Sequence, residues 1–212
     1  TLEKNASILN NIRQKSEAAK ILGKFSEGHR EVVELCNEYL AAAERELPHV
    51  GVGSPRIAAL NRGRELAGEA HHFHLLRWAE IEARTLTQDA NNRVKLTERL
   101  ETAQRALGVV DHALQHYPHD DNLRESRSVL LEFVGSIKVS HMIEKAERAD
   151  FKGNHTRALS HYRDALFFLD REAGETQDSG FLAERIETEI ERIQNLKKTD
   201  TEIGSHRRKK TT

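Results

Sequence analysis

A single cysteine, Cys36, leaves no partner for a disulfide within the chain. That usage suits a reducing compartment, so a cytoplasmic protein is expected. Only 3 prolines and 12 glycines punctuate 212 residues, which leaves room for long uninterrupted helices. No charge of one sign prevails: 33 basic residues stand against 34 acidic ones. No overall field therefore steers the protein to nucleic acid or to an anionic membrane. No apolar run approaches the roughly 20 residues that span a bilayer, and no secretory leader is legible. Nucleophile elbows, phosphate-binding loops, dinucleotide fingerprints and Cys-x-x-Cys pairs are all missing. Apolar residues reach 37%, low for a thick globular core and suited to thin helical layers that bury one face each. The chain opens on Thr1 rather than Met, so a regulatory domain of a longer protein is among the readings kept open.

What is present is helical periodicity. From Leu2 to about Lys24, Ile8, Leu9, Ile12, Ala19, Ile21 and Leu22 form a thin apolar stripe. Ser26 is placed to cap a second helix that carries Val32, Val33, Cys36, Leu40 and Ala43 and is stopped by Pro48. Ser54-Pro55 is a strong helix start, with a side-chain acceptor followed by proline at the first helical position. The third helix is expected to run to about Leu86, where the polar stretch TQDANN breaks the pattern. A fourth follows from about Asn91 to Tyr117. Pro118 ends it, and Asp120 and Asp121 favour the start of a fifth from about Asn122 to Phe151. The sixth helix lies after Gly153, and the seventh starts near Asp178 or Ser179 with Leu182, Ile186, Ile190, Ile193 and Leu196. No strand pattern occurs. Residues 1–197 read as one all-helical domain and 198–212 as a disordered basic tail.

The stretch VSHMIEKAERAD-FKGN-HTRALSHYRDALFFLD, from about Val139 to Asp170, carries the most specific pattern. Gly153 is followed by Ala158, Tyr162, Ala165 and Leu166, and preceded by the small residues Ala146 and Ala149. This resembles a tetratricopeptide (TPR) repeat over about residues 139–170. Small side chains let two helices approach, the aromatic fills the gap beside them, and glycine supplies the turn. The stretch departs from the family at Met142, often Trp, and at Asp170, often Pro. Cys36, Leu40, Ala43 and Pro48 repeat the spacing of Ala106, Val110, Ala113 and Pro118, and Ala158, Tyr162 and Ala165 follow it again. The intervals differ from the family's period of roughly 34 residues. The fold class expected is therefore all-α: a TPR-like solenoid of about three long antiparallel hairpins with a C-terminal capping helix.

Twelve histidines invite a search for metal ligands. His112 and His116 share a helix face one turn apart, with Asp111 beside them and His119 just beyond. Zinc needs four ligands, and no matching pair is legible elsewhere. Glu69 and His72 have the Glu-x-x-His spacing of di-iron bundles but lack a second such motif. No metal and no cofactor are expected, and His74 is expected to pack beside Phe73 and Trp78. Arg105 and His112, on one helix face, resemble the Arg–His pair with which all-helical HEPN-type ribonucleases direct attack by an RNA 2′-hydroxyl. Ala106, next to that Arg, stands where the family is usually polar. The run HRRKK, His206 to Lys210, has no interleaved aromatics and reads as a solubilising cluster.

The TPR resemblance implies a non-catalytic interaction or scaffold module. A helical RNA-processing enzyme built on Arg105 and His112 is the alternative. In the family the first helix of each hairpin lines a groove. Its groove positions correspond here to Ser140, Ile143, Glu147 and Asp150, with Phe151 beside them. These acidic and apolar positions disfavour a free carboxylate. They imply a protein or peptide partner carrying Lys or Arg next to an apolar anchor; the alternative is that the seventh helix or the N-terminal helices cover this face. No membrane partner is expected, and the balanced charge disfavours nucleic acid.

Overall fold

The computed structural model describes the backbone of residues 2–172 and 177–209, and the side chains of residues 4–171 and 179–199. Seven α-helices and one 3-10 turn account for nearly all of it, and no strand occurs among the described residues. The helices are α1 (Leu2–Ile21), α2 (Ser26–Glu46), α3 (Pro55–Asn92), α4 (Leu96–His116), α5 (Asp121–Phe151), α6 (His155–Glu172) and α7 (Gln177–Lys209). The 3-10 turn, Leu47–His49, holds Pro48 and closes α2. Among the described residues no helix is long and apolar enough to cross a membrane.

Local chemistry accounts for most boundaries. Ser54 Oγ accepts the Arg56 amide at 3.3 Å, with Pro55 opening α3. Asp120 Oδ1 accepts the Leu123 amide at 3.0 Å, and Asn154 Oδ1 accepts the Arg157 amide at 3.2 Å, capping α5 and α6. Between them Gly153 has φ +72°. Its amide donates to the Asp150 carbonyl (2.8 Å), and the Asn154 amide to that of Ala149 (2.9 Å). This paired bonding is the glycine C-cap that lets α5 turn sharply into α6.

Three helix ends differ from the sequence reading. The TQDANN stretch does not break α3, which continues to Asn92. Ala83, Leu86 and Ala90 keep one buried face through it, and Thr87 Oγ1 donates back to the Ala83 carbonyl at 2.7 Å. Ser26 does not cap α2; Phe25 is its N-cap without a side-chain bond, and Ser26 Oγ donates to Glu82 Oε2 at 2.8 Å. In α7 the helix reaches Lys209, into the segment read as a tail. The side chains of the HRRKK run lie outside the described residues.

The chain divides into two compact units, unit 1 from residues 1–88 and 105–127 and unit 2 from residues 89–104 and 128–212. In unit 1, α1 packs on α2. Ile8, Ile12 and Ala19 meet Val32, Cys36, Tyr39 and Ala43, with Leu60 and Ala67 of α3 completing the cluster. Gly63 sits where a Cβ would collide with the Tyr39 hydroxyl and lie 2.6 Å from its Cζ. Only glycine lets α3 come this close to the ring. In unit 2 the core is built on small residues. Ala146 and Ala149 of α5 face Ala158, Tyr162 and Ala165 of α6, and Ile186 and Ile193 of α7 close it. Fully burying each isoleucine contributes about 1.5–3 kcal/mol, so α7 is part of this core. A smaller cluster of Ala90, Ala103, Val134 and Ile137 also lies in unit 2.

The three faces that share a spacing in the sequence are inward faces. Cys36, Ala43, Ala106, Val110, Ala113, Ala158, Tyr162 and Ala165 are all buried. Burial pushes the Cys36 thiol up to about 12, which leaves it protonated and unreactive.

Candidate functional site

Four of the five groove residues named from sequence are brought together in unit 2. Ile143, Glu147, Asp150 and Phe151 line a cleft of about 320 Å³ together with Tyr162 of α6 and Arg185, Ile186, Glu189 and Arg192 of α7. Ser140 does not line it; its hydroxyl donates to the Ser136 carbonyl at 2.9 Å. The floor is apolar, from Ile143 and the fully buried Ile186. Phe151 stands at the lip, 93% exposed.

The two acidic groove residues differ in how far they are engaged. Asp150 receives Arg192 on one carboxylate oxygen and His155 Nδ1 on the other, at 3.0 Å. Burial works against its charge. The hydrogen bonds from Arg192 and His155, with their charges, outweigh that and hold its pKa below the ordinary value. Glu147 meets Arg185 at 3.8 Å, and both side chains are more than half exposed. Tyr162 is pushed up to about 12, by burial first and then by Glu189, Glu147 and Asp150. Three carboxylates, Glu147, Asp150 and Glu189, line the cleft against two arginines, Arg185 and Arg192, so its formal charge balance is negative.

The contribution of α7 was not legible from sequence spacing. Its Arg185 and Arg192, one above the other at seven residues, flank the buried Ile186 and reach Glu147 and Asp150. A helix bearing arginine beside an apolar anchor is the kind of ligand the groove residues imply, and this chain supplies one itself.

The histidines concentrate in unit 1. His112 and His116 are exposed on α4, with ring centroids 5.3 Å apart, and His71 of α3 lies 5.3 Å from His116. Trp78 meets His112 edge-on at 5.9 Å. Asp111 is taken by Arg127 at 2.7 Å, and His119 Nδ1 accepts from Arg124 at 3.1 Å. His72 Nε2 lies 3.6 Å from Asp120 Oδ2. Among the described residues no group of three or more histidine, cysteine or carboxylate side chains is arranged to hold a metal ion. Arg105, like His112, is exposed on α4, and neither lines the cleft of unit 2.

His74 does more than pack. Its Nε2 lies 2.8 Å from Ser16 Oγ and its Nδ1 2.7 Å from His29 Nδ1, with all three residues buried. Phe73 contacts it edge-on at 5.0 Å, while Trp78 pairs with His112 instead. The connectivity is that of a nucleophile, a base and an orienting group. The surroundings exclude catalysis. Ser16 sits inside α1, where the neighbouring amides are spent on helix carbonyls and cannot receive an oxyanion. A neutral imidazole in the orienting position would not stabilise an imidazolium as a carboxylate does.

A second cleft of unit 1, about 380 Å³, is lined by Ile8, Glu38, Arg45, Glu46, His49 and Arg56 among others. Glu46 within it is engaged by Asn5 at 2.8 Å and by Arg56. Compared with known proteins, the chain matches no family model, no curated protein and no solved structure.

Proposed function

We propose that this chain is a non-catalytic protein–protein interaction module of TPR-like character. Its partner is a peptide or helical segment that lays an apolar side chain beside Phe151 and a lysine or arginine near Glu147. The observation that carries this reading is the combination at one cleft of an almost fully exposed phenylalanine, an apolar floor and a negative balance of charge. A large aromatic left in water at the lip of a cleft is what a desolvated anchor contact requires. Glu147 is the residue that greets the partner's cation, because its hold on Arg185 is long and exposed. Asp150 is fixed to Arg192 and His155 and serves to keep α7 against the α5–α6 hairpin. Exposed pairs of this kind steer association more than they hold it, so affinity rests on the anchor.

The test uses crosslinking followed by titration. A photoreactive side chain at position 151 should trap a partner that the same group at Val129, an exposed residue of the same unit, does not. With that partner, Phe151→Ser should weaken binding by about tenfold or more. Glu147→Gln should chiefly reduce the salt dependence of the on-rate. Equal affinity for wild type and Phe151→Ser would place the binding surface elsewhere.

A further inference from the structure

The buried histidines of unit 1 serve no part of the proposed partner site. Ser16, His29 and His74 form one hydrogen-bonded chain that joins α1, α2 and α3. His29 is 1% exposed and His74 fully buried. His71, 4% exposed, makes a second link through Tyr117, its Nδ1 2.5 Å from the phenol oxygen. Among the described residues, His29 Nε2 and His71 Nε2 are buried with no hydrogen-bond partner.

The proton count of this chain follows from its connections. Two Nδ1 atoms at 2.7 Å require one N–H between them. If His29 Nδ1–H donates to His74, then His74 Nε2–H donates to Ser16, and His29 Nε2 is left as a bare acceptor. The opposite arrangement would leave a buried N–H on His29 with nothing to receive it, the costlier defect. The first arrangement is therefore the neutral ground state. A further proton from solvent enters at His29 Nε2, and by a shift of the Nδ1–H between the two rings its charge is shared with His74. It creates a buried cation with an unanswered N–H.

The charged neighbours do nothing to help. From α3, Arg77 acts on His29, and from α1, Lys20 acts on His74, each adding positive charge. Glu82 of α3 is hydrogen-bonded to Ser26 of α2. Around His71 the acting groups are the imidazoles of His116, His72 and His112. Burial first, and these neighbours second, lower all three histidines, His74 to about 4.

We propose that unit 1 is acid-releasable: protonating the Ser16–His74–His29 chain, which its packing cannot accommodate, frees α1 and α2 from α3. This inference is independent of the partner site in unit 2. The sign is that of a base held neutral in the fold. For His74 the unfolded chain takes up the proton from about pH 6.5 downward and the folded one only near about 4, so the stability this group contributes is lost across that window.

The experiment is urea unfolding of the full chain followed by fluorescence of Trp78, the one tryptophan, which lies in unit 1. Relative to neutral pH, the unfolding constant should rise roughly tenfold at about pH 5.5 from His74 alone, and further as His29 and His71 contribute. His74→Gln keeps a group that can bond Ser16 and His29 but takes no proton, so its unfolding constant should vary with pH by close to one proton less. Should that variant not fold, proton-detected titration of the wild-type histidines decides the matter. A His74 ring that stays neutral in the folded protein at about pH 5 is expected, with His29 and His71 titrating below their ordinary value. A Trp78 transition that does not move between about pH 7 and 5, or His29 and His74 rings that titrate near 6.5 while folded, would overturn the proposal.

Discussion

In unit 1 the buried imidazoles of His29, His71 and His74 face Arg77, Lys20 and other imidazoles. In unit 2, His155 faces Asp150 at 3.0 Å and His161 faces Asp164 at 3.9 Å. The same residue type is thus set against positive company in one unit and negative company in the other. In unit 1 burial first, and those neighbours second, disfavour the added proton. Half-buried His141 is lowered too, by burial first and Lys145 next, but Glu144 acts in the opposite direction. The ionic clamp of unit 2 fails in a different window. With the pKa of Asp150 below its usual 3.8, the stability it contributes is kept above that value and lost only as pH falls further. The lesson is that histidine content says little about acid response: how deeply each ring is buried comes first, and the sign of its charged neighbours second.

The packing differs as sharply. Unit 2 brings α5 and α6 together through alanines, so one added branch has nowhere to go. Ala158→Leu should destabilise by about 1–3 kcal/mol, read as a lower urea midpoint by far-ultraviolet circular dichroism. A midpoint equal to wild type would mean that the small-residue face is not a tight crossing. In unit 1 the close approach is a single point, Gly63 against Tyr39. Gly63→Ala should cost about 1–2 kcal/mol, less because an aromatic ring can shift, and it should appear in Trp78 fluorescence. The better helix propensity of alanine offsets part of this, by roughly 0.5–1 kcal/mol. A stabilised variant would show that the ring yields freely.

How much of this was legible in the sequence follows from the range of each signal. Ser54-Pro55, Asp120 and Gly153 act within a few residues, and each does at its helix end what its chemistry implies. The spacing of Cys36, Ala43, Ala106, Val110, Ala113, Ala158 and Ala165 marked buried faces because periodicity reports burial directly. The continuation of α3 through TQDANN was missed because a polar run looks like a break even where Leu86 and Ala90 keep one face buried. Gly63 gave no local sign, since its reason is Tyr39 on another helix. The role of His74 was hidden for the same cause, as its partners Ser16 and His29 lie 58 and 45 residues away. Of the cleft in unit 2, the α5 positions could be named, but not that α7 would bring Arg185 and Arg192 to them.

Amide hydrogen exchange of the full chain at about pH 7 and pH 5, corrected for intrinsic rates, tests the contrast between the units most directly. The account predicts that protection in α1 around Ser16, and in α2 from His29 onward, falls by about tenfold or more at the lower pH. Protection around Ala158 and Tyr162 in α6 should change far less. Equal loss in both units, or no loss in α1 and α2, would contradict it.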